Sequence, residues 1–349
     1  MKKTILLLCG GQSGEHQVSL RSALSIIREL PKDQYDLIPV AIDHHGQWWT
    51  GDPLIQFPED PEKIRLASNL KAIQLTGKQV EGRTIDCAFS VLHGRFGEDG
   101  CMQGALEMAG IPYIGSGVLG SAMAMDKDIT KRLALHEGLK TAPYHLTRDT
   151  DPERPTYSDV AEQLGDTLFV KPAAQGSSLG ISKATDTLSF EAALDLAFQY
   201  DRKVIIEKAM VGREIELAVL GNENPIVSKP GEILVTEEFY SYEAKYILNN
   251  TKLEIPASVS SELEARLQEA AIRTYRCLEL RGLARIDFFV DEQEEIWLNE
   301  PNTLPGFTSI SMYSMMFAAS GVSYPELVTK LIEFGIESAK RDQRIKQER

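Results

Sequence analysis

Cysteine is scarce and unpatterned in this chain: its 349 residues include four, Cys9, Cys87, Cys101 and Cys277, and no C-x-x-C spacing joins any of them. That excludes a disulfide framework and a cysteine-rich zinc site, and fits packing thiols in a reducing compartment. Positive charge is also short. With 37 Lys and Arg against 51 Asp and Glu, the formal net charge is -14, and the cations form no stripe, so a general nucleic-acid binder is not expected. If an anion binds, a few placed cations must hold it. No apolar run approaches the ~20 residues that span a bilayer. The N-terminal MKKTILLLCGG is too short in its apolar part for a secretory signal and passes straight into glycine, so it reads as a buried strand of a cytoplasmic protein with no membrane partner. The Walker spacing G-x-x-x-x-G-K-[ST] occurs nowhere, and the glycines of the first turn do not fit G-x-G-x-x-G.

What is present begins with a βαβ unit. Residues 4–8 form a strand, Gly10, Gly11, Ser13 and Gly14 a turn, a helix begins near Val18, and residues 35–42 form a second strand. Such a unit implies a parallel sheet with ligand sites at strand ends. Glu15, His16 and Ser19 fall at or near the helix N-terminus, where an acid serves either as a partner of the helix dipole or as the holder of a substrate ammonium. His44 and His45 would face opposite ways on a strand and make no metal pair, while Trp48 and Trp49 read as packing and edge aromatics. A third strand, residues 87–92, ends in HGRFGEDGCMQG, with His93 and Glu98 at its carboxyl end. Residues 111–115 look like one more short strand, and the small residues 115–121 like a domain boundary before a helix over 122–137 that carries Asp126, Lys127 and Lys131.

Beyond it the pattern turns antiparallel. LFVKP places Lys171 at a strand end before the loop AAQGSSLGIS, whose Gly176, Ser177, Ser178 and Gly180 leave backbone N–H groups open to phosphates. Strands follow over 204–209 and 214–220. Glu207, Lys208 and Glu214 there are either contacts for a nucleotide or a charged strand edge. The densest stretch is 285–311, RIDFFVDEQEEIWLNEPNTLPGFTSIS, read as strands 285–290 and 295–300 joined by an acidic turn and followed by a Pro/Gly loop. With a period of two, Arg285 and Asp287 share a face, as do Leu298 and Glu300. A hairpin would bring Asp287, Glu300 and Asn302 together, either as ordinary surface acids or as oxygen donors that suit Mg²⁺ or Mn²⁺ rather than zinc.

Taken together, Lys127, Lys171, the Gly-Ser loop, Glu207 to Met210, Glu214 and the trio Asp287, Glu300 and Asn302 resemble an ATP-grasp enzyme. GGQSGEHQVSL, HGRFGEDGCMQG, SAMAMDK, VKPAAQGSSLGIS, YSYEAKY and NEPNTLPGFTSIS are similar, in that order over nearly the whole chain, to the D-alanine:D-alanine ligase family. The last residues, AKRDQRIKQER, fall outside the likeness and read as a solvated helix end.

The resemblance implies an α/β fold of three domains: an N-terminal βαβ, parallel-sheet domain (1–118) and two α+β lobes (119–208 and 209–349) that enclose ATP. It implies ligation of two D-alanines through an acyl phosphate for peptidoglycan, with joining of D-alanine to D-lactate or D-serine, or a silent nucleotide-binding relative, as the alternatives. Lys127, Lys171 and Ser178 match phosphate contacts; Glu207, Lys208 and Met210 the adenine hinge; Glu214 the ribose contact; and Asp287, Glu300 and Asn302 the ligands of two divalent ions, Mg²⁺ or Mn²⁺. Glu15 matches the holder of the first ammonium, supported by Ser177 and Tyr246, and His93 stands with the substrate residues. Arg285 and the Gly306 N–H match the oxyanion site. Lys245, Ser311 and Met312 lie near the second substrate, Met312 departing from the Leu of some relatives. A homodimer is the implied assembly.

Overall fold

Three sheets of four or more strands carry the chain in the computed structural model, which describes residues 2–51, 54–56, 65–75, 77–234 and 252–347. The first is centred on the strand Lys3–Gly10, whose residues from Ile5 to Cys9 are fully buried. It pairs in parallel with Tyr35–Ile42 on one side and Cys87–Ser90 on the other. A strand with both edges paired and both faces covered reads as an unbroken apolar run. The sequence leads one to expect a parallel sheet, and the observed sheet departs from that at one edge, where Trp48–Thr50 and Lys71–Ile73 extend it antiparallel. The connection from Ile42 to Trp48 is long enough for a hairpin and too short for a crossover. The turn after the first strand requires its glycines. Gly10 sits at φ +85°, and a Cβ there would lie 2.3 Å from the Ile42 carbonyl oxygen.

Two other expectations fail locally. Residues 111–115 make only a single bridge, Tyr113 with Ala88, because Gly115 at φ +99° turns the chain away. The helix expected over 122–137 is two, Val118–Met125 and Lys127–His136. Asp126 breaks them: its extended backbone ends the first, and its carboxylate accepts the Asp128 and Ile129 N–H groups to cap the second.

The second sheet is antiparallel, in the order Tyr144–Arg148, Lys203–Lys208, Leu168–Pro172, Ser182–Ala184. The helices Tyr157–Leu164 and Thr187–Ala197 cover one face, where Val160, Phe190 and Leu194 meet Leu168, Val170, Val204 and Ile206. Alternation therefore turns Glu207 to the other face.

The third sheet runs Lys140–Thr141, Ile296–Asn302, Gly282–Val290, Arg213–Gly221, Gly231–Leu234, Lys252–Glu254. The helix Ser261–Cys277 packs Leu263, Leu267 and Tyr275 against Ile215, Leu217, Ile286 and Phe288. The opposite face is left to Glu216, Arg285 and Asp287. The final helix, Tyr324–Gln347, returns to the first sheet, with Leu327, Val328 and Leu331 packed in one core with Ile5, Leu7 and Phe89. Its residues 341–344 are exposed, as the charged sequence leads one to expect. No helix among the described residues is long and apolar enough to cross a membrane.

Candidate active site

The hairpin of Gly282–Val290 and Ile296–Asn302 sets the site. Asp287 lies directly opposite Glu300, and Arg285 opposite Asn302. On its other edge Asp287 lies opposite Glu216, so three carboxylates form a row across three adjacent strands. The alternation expected for the second strand does not hold. A bulge at Asn299 sets Leu298 opposite Phe288 and Glu300 opposite Asp287, so Leu298 joins the core while Glu300 faces the site.

Arg285 is inserted into this row. Its Nε and Nη2 donate to the two Asp287 carboxylate oxygens at 2.8 and 2.7 Å, and its Nε lies 3.1 Å from Glu216 Oε2. Burial works against the guanidinium charge, but Asp287 and Glu216 outweigh it and hold the proton more tightly than usual. Among the described residues no three carboxylate, imidazole or thiol groups converge as a metal cluster. The donor chemistry nonetheless fits a hard cation, since Asn302 Oδ1 is buried beside the acids with no hydrogen-bond partner among the described residues.

A second charge cluster lies on the antiparallel sheet. Buried Glu207 accepts from Lys171 Nζ at 2.5 Å and lies 2.8 Å from Lys131 Nζ. Burial alone would raise its carboxyl, but the two ammonium charges prevail and bring it down to about 2. Lys131 moves the other way. Its own burial, with Lys171 and Lys127 nearby, lowers its affinity for a proton despite Glu207.

Two cavities open beside these clusters. The larger, about 850 Å³, is lined by Lys171, Ser178, Glu207, Lys208, Met210 and Glu214, together with Asn299. The smaller, about 280 Å³, is lined by Glu15, His93, Ser177, Arg285 and Asn302, and closed by Gly306, Ser311 and Met312. Lys127, Ile233 and Glu300 belong to both. Lys127 Nζ donates to the Gln175 carbonyl at 2.7 Å and lies 3.5 Å from Glu300 Oε2. Asp287 lines neither cavity, being turned into Arg285.

Glu15 is the N-cap residue of the helix His16–Glu29 but makes no capping bond with its side chain. Its Oε2 reaches instead toward the loops, 2.8 Å from where a Cβ on Gly94 would stand and 3.7 Å from one on Gly176. Ser177 and Ser178 are consecutive left-handed residues, at φ +52° and +56°, and Ser177 Oγ is buried with no hydrogen-bond partner among the described residues. Left-handed non-glycine residues also occur here at the turns of Glu81, Glu279 and Glu294, and what sets this pair apart is its place beside the two cavities. Lys245 and Tyr246 lie outside the described residues.

Residues 4–116 match the model of the D-ala D-ala ligase N-terminus, and residues 133–333 that of the D-ala D-ala ligase C-terminus. The chain belongs to the D-alanine–D-alanine ligase family. The family consists of ATP-dependent ligases that form the D-alanyl-D-alanine peptide bond for peptidoglycan. The chain is 45% identical to the D-alanine–D-alanine ligase of Oceanobacillus iheyensis over 100% of its own length and 99% of that protein's. Among solved structures it is similar to the D-alanine–D-alanine ligase of Coxiella burnetii, with TM-score 0.82, 32% identity and coverage of 99% and 98%. It is also similar to the D-Ala:D-Ser ligase of Enterococcus faecalis, with TM-score 0.80, 32% identity and coverage of 96% and 100%. The two α+β sheets on either side of the larger cavity agree with the ATP-grasp fold of this family.

Two residues beside the cavities escaped the sequence, whereas Glu98, placed there with His93 at a strand's carboxyl end, lines the smaller one. Lys131 was visible only as a helix lysine four residues after Lys127. Glu216 follows Glu214 by two in EIELAVL, so the period of a strand already placed the two on one face. Glu98 stands 4.0 Å from His93 Nδ1, beyond hydrogen-bond reach, and is raised by burial and by the charge of Glu15.

Proposed function

We propose that the chain joins two D-alanines with ATP, the nucleotide in the larger cavity and the amino acids in the smaller. The carrying observation is the junction at Lys127 and Glu300, where a phosphoryl group leaving one cavity enters the other. In this reading Lys127, Lys171 and Ser178 hold phosphates. Glu207, Lys208 and Met210 hold adenine, and Glu214 the ribose.

The γ-phosphoryl passes to a carboxylate oxygen of the first D-alanine, giving an acyl phosphate and ADP. Positioning and charge supply most of the catalysis in such a transfer. Glu15 holds the first ammonium, with Ser177 and His93 around it and a supporting role for Tyr246. The amine of the second D-alanine, placed by Lys245, Ser311 and Met312, attacks the carbonyl carbon, loses a proton and expels phosphate. Arg285 and the Gly306 N–H face the developing oxyanion, where one lost donor costs about 3 to 4 kcal/mol. Asp287, Glu300 and Asn302 would hold two divalent ions, Mg²⁺ or Mn²⁺, which would supply charge neutralisation when bound. For that, Asp287 must leave Arg285, which keeps Glu216. Three domains, 1–118, 119–208 and 209–349, a cytoplasmic location and a homodimer complete the proposal.

The likeness to a D-Ala:D-Ser ligase gives a second reading, in which D-serine is the nucleophile. Purified protein with ATP and Mg²⁺ is offered D-alanine alone, then D-alanine with D-serine or D-lactate. ADP release with D-alanyl-D-alanine as the main product in every mixture is the expected result. A mixed product in excess would move the assignment to that nucleophile, and absence of ADP release would leave a silent relative.

A further inference from the structure

The helix His16–Glu29 reaches the loop around Gly306 through one side chain that no motif singles out, Ser22. Ser22 is fully buried. Its hydroxyl oxygen accepts the Phe307 backbone N–H at 3.2 Å and lies 3.2 Å from His93 Nε2. On the other side of the same imidazole, Nδ1 lies 2.8 Å from the Leu304 carbonyl oxygen. A carbonyl can only accept, so Nδ1 carries a proton, and Nε2 is bonded to the Ser22 hydroxyl as acceptor in the neutral ring and as donor in the charged one; burial opposes the charge, and Glu98 and Glu15 outweigh it and raise the proton affinity of the ring. The result is an unbroken chain of hydrogen bonds from the Phe307 N–H through Ser22 and His93 to the Leu304 carbonyl. Its two ends bracket Pro305 and Gly306. Gly306 has no side chain by which it could be held, so the aim of its N–H depends on its neighbours, of which Pro305 fixes its own φ and Leu304 and Phe307 are fixed by this chain. The Phe307 carbonyl is held separately, accepting from the Tyr324 hydroxyl at 3.0 Å.

We propose that Ser22 is a positioning residue for the acyl-transfer step: with His93 it locks the 304–307 turn so that the Gly306 N–H faces the oxyanion. This rests on the reading of Gly306 given above. Ser22 touches neither cavity, so its removal acts on the step that uses Gly306 and leaves nucleotide binding alone. The first half-reaction and the whole reaction can be separated. D-alanine-dependent exchange of the β–γ bridge oxygen of ATP reads phosphoryl transfer, and dipeptide formation reads both steps. In Ser22→Ala, dipeptide kcat is expected to fall about tenfold, the worth of roughly one neutral hydrogen bond, while the exchange rate and the KM for ATP stay within about twofold. Equal loss in exchange and dipeptide formation, or no loss in either, would overturn the proposal. Should Ser22→Ala fail to fold, the same ratio is read on Ser22→Cys, which keeps the volume with a weaker donor. The wild-type enzyme in the same assay separates the two claims: failure to make dipeptide there removes the ligase reading itself, whereas a normal wild type with proportionate losses in the variant removes only the role of Ser22.

Discussion

The two buried charge clusters are mirror images. Beside the larger cavity one carboxylate, Glu207, stands between two lysines; beside the smaller one cation, Arg285, stands between two carboxylates. The first carries an excess of positive charge and the second an excess of negative charge, which suits phosphate on one side and a divalent cation on the other. Each cluster also has an inner and an outer partner. The Lys131 side chain is 2% exposed and that of Lys171 14%; Glu216 is 5% exposed and Asp287 11%. A buried charge that loses its only partner is strongly destabilising. With three members, the outer one can turn to a ligand while the inner one keeps the central charge paired.

The comparison breaks most sharply at a central member. Arg285→Met leaves Glu216 and Asp287 facing each other in the interior, and a loss on the order of 3 to 5 kcal/mol of stability is expected. Urea unfolding measures it; a loss below ~1 kcal/mol would show that the two acids manage without the cation.

Next comes the residue shared by both cavities. Glu300→Ala is expected to keep the fold and lower kcat by roughly a thousandfold, about 4 kcal/mol of charge stabilisation. The melting shift produced by Mg²⁺ with nucleotide should shrink in the variant. Turnover near that of the wild type would take Glu300 out of the metal assignment.

A smaller effect is expected from the inner lysine. In Lys131→Met, Glu207 keeps only Lys171 and holds it, so the KM for ATP should rise about tenfold, ~1.4 kcal/mol, with the KM for D-alanine nearly unchanged. Similar shifts in both would mean that Lys131 supports the fold rather than the release of Lys171.

A further test uses acid. The Glu207 carboxyl sits at about 2 in the folded protein against ~4.3 in an unfolded chain. Between these values the unfolded chain binds more protons, so stability rises with pH. The contribution of Glu207 is fully present above pH ~4.3 and is lost as the pH falls through about 2. The stability difference between wild type and Glu207→Gln should therefore narrow as the pH is lowered from 5 towards 2.5. A difference that stays constant would mean that the lysines do not hold the proton off.

Much of this site was legible because its residues lie on regular elements. The hairpin pairing of Asp287 with Glu300 followed from strand period, and Lys171 from its place at the end of LFVKP. What was illegible came from departures from regularity and from contacts distant in sequence. The bulge at Asn299 separates Leu298 from the face assigned to it. The break at Asp126 hides in a sequence with good helix formers on both sides. Ser22 meets Phe307 across 285 positions of chain, a contact no local pattern announces. Lys131 was read as one more helix lysine because its partner, Glu207, arrives from another sheet.

The bulge has a consequence for how this strand tolerates change in length. Because Phe288 already faces Leu298 and Asp287 already faces Glu300, Asn299 is the residue with no partner across the ladder. Deleting Asn299 would close the two halves into an even ladder and leave Leu298 in the core and Glu300 at the cavity, at the cost of the local bend and of one amide on the wall of the larger cavity. Deleting Leu298 instead would slide Asn299 opposite Phe288 and carry an amide into the apolar interior beside Ile286. At this one place the strand can shorten by a residue without moving its acids, and one step earlier it cannot.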